Sequence, residues 1–499
     1  MKKNIALLLS ASLAFGSVPA AFAAQTSFAL TTDVSVQTKL ADDYKSILAL
    51  FPSDASAPPV DLAKVKAEYV AKFQADVKVV NAQIDEIVSQ TLDLAIDGKL
   101  SAGQAKQAID KGLQWYFYTK ITNHVRYEAI PLLEKGDTAG ASAALDKGIE
   151  LYANVLEPTA AKRDNYYATT ATPVATKDTL KTAVEGLRQA AKDGDLVQYS
   201  IFRQMFDKTL IKMFHLATLK YAKTAPAAAD ATAAIELTEG YFFFLPIYGS
   251  LSGGSKADAD AVLAGFGGGD KSKVNEAAIK HHYAAMFNGK IGGYATRVLT
   301  DELPNGKHAA AIEHAMEGNM FLAAEEVLIK EKLGEAAYAE AVAHATEYFE
   351  AVQAKDLAAA NEHVVAYLKI IAQLDGVVFA VGSKELTIDG VKVEVDAASY
   401  VNAETNRTLV PTRFISDAIG ATVDFDDATQ VVTLTKGAQT IELKLGSDEV
   451  VVNGEVDPAK TLDQTVVTKD GRSFIPLRAV AELFGNNVFY SNGEVVITE

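Results

Sequence analysis

Apolar residues recur every three to four positions over most of the first three quarters of the chain, and every second position near its end. From Asp61 the helical period predicts helices over 61–97, 102–130, 138–157, 178–192, 195–223 and 228–245. A stretch rich in Gly and Ser, 249–271, interrupts it and is expected to be a long loop, either a plain connection between two bundle halves or a functional lid. The period resumes over 272–299, 307–333, 335–354 and 356–374. Past about 384, runs such as Val431–Thr435 and Thr440–Leu445 alternate apolar and polar, as half-buried strands do.

The alternating region contains one phrase twice. Arg407-Thr408-Leu409-Val410-Pro411 and Arg472-Ser473-Phe474-Ile475-Pro476 lie 65 residues apart, and each leads into a short apolar run closed by Gly420 or Gly485. Proline suits a first helical turn, where its missing N–H costs nothing, and glycine suits the residue just past a helix. Residues 384–499 therefore read as a small α+β module of two ββαβ-type repeats. The pattern resembles the copper amine oxidase N-terminal-like domain carried by many secreted proteins of Gram-positive bacteria. That resemblance implies a non-catalytic stalk or attachment module. No copper is expected in it, because no histidine follows His363 and the chain has no cysteine.

The helical region has its own, fainter repetition. Asp110-Lys111-Gly112-Leu113 is echoed by Asp207-Lys208-Thr209-Leu210. Glu239-Gly240-Tyr241-Phe242-Phe243 is echoed by Glu317-Gly318-Asn319-Met320-Phe321. The fold class expected is thus multidomain: an all-α helical bundle of two related halves, 61–248 and 272–380, followed by the α+β module. An N-terminal segment, 24–60, precedes them.

Composition sets the compartment and the partners. Residues 1–23 have the form of a secretory leader: Lys2 and Lys3, an apolar core from Ile5 to Phe15, and Ala21-Phe22-Ala23. The chain's charge of −17, less those two lysines, leaves −19 on the exported form. Such a balance argues against nucleic acid and anionic membrane surfaces, and suits cations. No stretch is long enough to insert in a membrane. Without cysteine there are no disulfides or thiolate sites. The expected location is outside the cell, free or wall-associated.

All eight histidines fall in the helices. His124 and Glu128 are spaced i, i+4; His314 and Glu317 are spaced i, i+3, with Glu313 beside them; His344 and Glu347 are spaced i, i+3. Such pairs share a helix face, and an inward face could offer nitrogen and oxygen to iron, zinc or manganese. A solvated face is the competing account of each pair. Glu362-His363 is weaker still, since adjacent residues do not share a face. Glu239 and Glu317 stand in apolar runs, where a carboxylate is rare without a partner. Catalytic motifs are missing: there is no Glu-x-x-His, His-Glu-x-x-His, nucleophile elbow or Walker loop.

With its E-G-x-x-F phrases, the helical region resembles the algal periplasmic iron-assimilation proteins and their bacterial lipoprotein relatives. It departs from them in having no lipoprotein cysteine and an appended module. His-x-x-Glu at 314 and 344 is similar to a motif of the imelysin-type iron-linked bundles, without their upstream glycine. The resemblance implies iron capture outside the cell. Metal ligands are expected among Glu239, Glu317, His314, Glu313, His281, His124 and Glu128. The expected protein is an exported non-enzymatic binder of metal, iron first, whose C-terminal module meets cell wall or surface-layer components. A structural or adhesive envelope protein with no metal site is the alternative.

Overall fold

The computed structural model describes residues 32–52 and 58–499; the leader expected at 1–23 lies outside them. The chain divides into two units. Among the described residues, the first takes everything up to Tyr283 together with Ile312–Glu331; the second takes Ala284–Ala311 and Lys332–Glu499. The contacts thus divide after Tyr283, within a helix, and not in the 249–271 stretch.

Helices of the first unit are α1 (Ser35–Leu48), α2 (Leu62–Tyr69), α3 (Ala75–Ile96), α4 (Ala102–Thr122), α5 (Ala129–Glu134), α6 (Thr138–Leu151), α7 (Glu157–Tyr167), α8 (Thr176–Asp193), α9 (Leu196–Thr224), α10 (Asp230–Leu251) and α11 (Lys256–Gly267). The start of α12 (Glu276–Arg297), α13 (His308–Ala324) and α14 (Glu326–Leu333) complete it in the main. Helix α9 is its axis. Asp195 caps it by accepting from the Gln198 N–H, and it is buried on nearly every side. A helix enclosed all round belongs in the core of a larger bundle. Its Arg203, Asp207, Lys208 and Lys212 are buried with it, so each needs an ionic partner nearby.

The Gly/Ser-rich stretch is a correction to the sequence reading: it is not a long loop, because α11 occupies most of it. Ser255 caps α11 by accepting from the Asp258 N–H, and Ala259, Val262 and Phe266 form its buried stripe. The 3–4 spacing of those three residues outweighs the glycines. Gly240 explains itself here, since a Cβ at that position would lie 2.5 Å from the Phe266 ring.

The second unit contains the rest of α12, the hairpin α15 (Glu335–Ala354) and α16 (Leu357–Ile371), and the β-rich module. Asn288 of α12 donates to the Ile371 and Asp375 carbonyls at 3.1 and 2.7 Å, fixing the end of α16. The module begins earlier than expected, with β1 (Val377–Ala380). Then come β2 (Glu385–Ile388), β3 (Val391–Glu394), β4 (Tyr400–Asn402), β5 (Arg407–Pro411), α17 (Thr412–Ile419), β6 (Thr422–Asp426) and β7 (Val431–Lys436). The second copy runs β8 (Gln439–Lys444), β9 (Val450–Val452), β10 (Glu455–Val456), β11 (Val467–Lys469), β12 (Arg472–Pro476), α18 (Leu477–Leu483), β13 (Asn487–Ser491) and β14 (Glu494–Thr498). Each repeat therefore holds more strands than the ββαβ unit read from the sequence.

Three sheets express the duplication. Two have five strands, ordered β13-β14-β1-β2-β3 and β10-β9-β8-β7-β6. Each joins the last two strands of one repeat to the first three of the other, so the module's two ends meet where β1 pairs with β14. A four-stranded sheet, β11-β12-β5-β4, takes two strands from each repeat. At its centre Val410 faces its own repeat equivalent, Ile475. One apolar cluster, including Leu434, Ile441, Ile475, Val480 and Ile497, serves both repeats.

Candidate metal centre

The acidic residues singled out by the sequence face buried cations. Glu317 accepts from Lys208 at 2.7 Å and from Gln204 at 2.8 Å. Lys208 also lies over the Phe321 ring, 5.2 Å from its centroid. Glu239 is 3.4 Å from Lys111, which lies 4.8 Å over the Phe243 ring. The two arrangements are equivalent: each D-K-x-L lysine, from α4 or α9, meets the glutamate and phenylalanine of an E-G-x-x-F phrase, from α10 or α13. The duplicated phrases are two halves of one duplicated ion pair. Asp110 completes the first copy at 2.8 Å from Lys111; burial pushes its carboxyl up, but Lys111 and its hydrogen bonds hold it below the usual range.

Glu313 and Asp207 are committed in the same way. Arg203, only 1% exposed, donates to Asp207 at 2.8 Å and also to Glu313. His124 pairs with Glu128 at 2.9 Å, in a short π-helical stretch, with Glu128 out in solvent. His314 is half-buried and His281 is exposed. Within the first unit these seven residues stay distributed: the three internal carboxylates serve ion pairs, and His124–Glu128 is a pair on its own.

A convergent group appears elsewhere, on the α15–α16 hairpin. Lys355 ends α15 in the left-handed conformation (φ 63°), and Asp356 caps α16 by accepting from the Ala359 N–H. The tight turn lays the two helices side by side. Their buried faces are Ala341, Val342, Ala345, Tyr348 and Val352 on α15, and Ala360, Val364, Val365 and Leu368 on α16. His344 and Glu347 flank the first stripe and His363 flanks the second, so all three meet at the rim. Glu347 Oε2 is 3.1 Å from His344 Nδ1 and 3.0 Å from His363 Nδ1. The imidazole centroids are 5.9 Å apart and tilted by 30°. One ligand atom from each residue falls within 4.8 Å of the others.

Two imidazole nitrogens and one carboxylate oxygen suit zinc or ferrous iron. Bonds of about 2.1 Å put neighbouring ligand atoms about 3.0 Å apart in octahedral and about 3.4 Å apart in tetrahedral geometry, and the two His–Glu separations, 3.1 and 3.0 Å, lie at the short end of that range. Side-chain exposures of 30%, 49% and 28% for His344, Glu347 and His363 leave the other coordination positions facing water. The His344–Glu347 half was visible in the sequence spacing. His363 was not, because its partner lies on the other helix.

Buried His215 is a different kind of histidine. It stacks edge-on against Tyr283 with centroids 4.1 Å apart. Burial, with Lys212 adding to it, pushes its imidazole down to about 3. It stays neutral in the core.

The family model described as the copper amine oxidase N-terminal domain matches residues 377–498. The C-terminal module is a domain of that kind. In the oxidases the domain is non-catalytic. The match covers the β-rich end and leaves the helices outside it. No curated protein and no solved structure matches the chain. Among the described residues, no helix is long and apolar enough to cross a membrane.

Proposed function

We propose that this chain is an exported, non-enzymatic binding protein that captures a divalent first-row metal, iron foremost, at His344, Glu347 and His363. The convergence of these three ligand atoms carries the reading. An open, three-ligand site suits capture and hand-over, since a water or a receiving group can enter the remaining positions. The module at 377–498 serves as the attachment end, in keeping with the non-catalytic place of such domains. The second reading, an envelope scaffold, is favoured by one observation: Glu239, Glu313 and Glu317 all serve buried ion pairs.

Metal analysis of the untagged protein, then calorimetric titration with ferrous, zinc and cupric ions, separates the two. Capture predicts one equivalent bound, with affinity lowered at least tenfold in His363→Ala and in Glu347→Gln. Affinity should also fall from pH 7.5 to pH 5, because coordinating imidazoles must shed their protons. Binding unchanged in His363→Ala would remove the metal from this site. No saturable binding of any ion would leave the scaffold reading standing.

A further inference from the structure

The β-rich module carries two equivalent open grooves. The first, about 440 Å³, is lined by Arg413, Arg472, Asp396, Asp427 and Phe425 among others. The second, about 300 Å³, is lined by Arg478, Arg407, Asp463 and Tyr490 among others. The 65-residue repeat maps one onto the other: Arg413 onto Arg478, Phe425 onto Tyr490, and Arg407 onto Arg472. Each groove takes its strand arginine from one repeat and its helix arginine from the other.

The chemistry is duplicated as well as the positions. In each groove the strand arginine is held by an aspartate: Arg472 Nε donates to Asp396 at 3.0 Å, and Arg407 Nε donates to Asp463. Arg413 and Arg478 are exposed, and among the described residues neither forms an ion pair. Phe425 and Tyr490 keep 37% and 45% of their surface in water. Residues 377–498 contain four arginines, and all four line these grooves. The same span is rich in Asp and Glu, so the guanidinium groups are concentrated here against an acidic background. In each groove an exposed ring and an exposed guanidinium outside any ion pair line the same trench.

The geometry points to a pair of binding sites for an acidic glycan, a saccharide chain bearing carboxylate or phosphate groups. The ring offers an apolar face for a sugar's C–H surface. The Arg–Asp pair offers donors and an acceptor to adjacent hydroxyls. The helix arginine grips the acidic substituent through two parallel N–H bonds, as guanidinium does with carboxylate and phosphate alike. Open trenches admit a chain passing through, and two of them on one module let a repeating polymer bind at both, multiplying a weak affinity. Each helix arginine has one acidic neighbour that does not take it up in an ion pair, Asp427 in the first groove and Glu482, one turn on from Arg478, beside the second, so the two arginines should matter alike.

The test uses the full chain on immobilised polygalacturonate (carboxylate), a phosphorylated mannan (phosphate) and a neutral β-linked N-acetylglucosamine polymer. Binding is expected to one or both acidic polymers and to weaken with salt. Arg413→Ala and Arg478→Ala should each lower affinity a few-fold, and the double variant at least tenfold. Phe425→Ala with Tyr490→Ala should weaken binding to the same polymers. Because these side chains are exposed, the thermal midpoint should not move; replacement of both arginines by lysine checks the fold independently and should restore only part of the affinity. Equal binding to the neutral polymer, undiminished binding by the double alanine variant, or no binding to either acidic polymer would each overturn the proposal.

Discussion

Lys208 shows why the acidic phrases of the helical region repeat. Its ammonium group is buried between Glu317 and the Phe321 ring, as that of Lys111 is between Glu239 and Phe243. A buried pair is weak evidence of net stability, but removing one partner strands the other charge. Lys208→Met should destabilise the protein by about 3–5 kcal/mol, and adding Glu317→Gln should recover much of that. Urea unfolding of the two single variants and the double gives the coupling directly; a coupling near zero would mean the pair does not act as a unit. His215 makes a second prediction at this scale. An unfolded imidazole takes up a proton below about 6.5, whereas the folded one stays neutral down to about 3. Across that window the unfolded state binds more protons, so stability falls as pH falls, by up to about 1.4 kcal/mol per pH unit from this group. His215→Leu removes the term. Measured against the parent, the variant should therefore gain in relative stability between pH 7.5 and pH 5; a pH-independent difference would show that His215 is not held neutral.

At the level of elements, most helices were legible because their period is long and sustained, whereas α1 and α7 fall in stretches where the sequence reading places no helix. In 249–271 the glycines point to a loop, but Ser255 and the spacing of the Ala259–Val262–Phe266 stripe decide for α11. The E-G-x-x-F phrases were recognised as repeats, but their lysine partners come from other helices, a relation that periodicity does not encode. The same limit hid His363. Judged against its neighbour Glu362, it shares no face. Judged across a hairpin, it does: Glu347 and His363 stand equally far from Lys355 in sequence, so an antiparallel turn there sets them opposite each other. Two helices separated by so short a gap already imply that turn. The triad is encoded in that antiparallel pairing and not in the spacing along either helix.

At the scale of the whole chain, duplication recurs in two forms. The helical unit repeats an ion pair, and the β-rich module repeats an entire strand order. The module's version has a mechanical consequence. Its first strand pairs with its last, and β14 sits inside its sheet between β13 and β1. Val495, Val496 and Ile497 are essentially fully buried there. Ending the chain after Gly493 would strip those side chains from the core, a loss on the order of 5–9 kcal/mol by area alone, comparable with the stability of a typical domain. The same cut removes Glu494, which pairs with Lys369 of α16. The module should therefore lose cooperative folding, although both R-x-[LF]-[VI]-P strands and both short helices remain in the truncated chain. Limited proteolysis should cleave the truncated protein rapidly beyond residue 377 while the α4–α9–α10 core stays protected. Equal resistance of the module with and without β14 would mean that each repeat holds itself together, and that the meeting of the two ends is not what closes the fold.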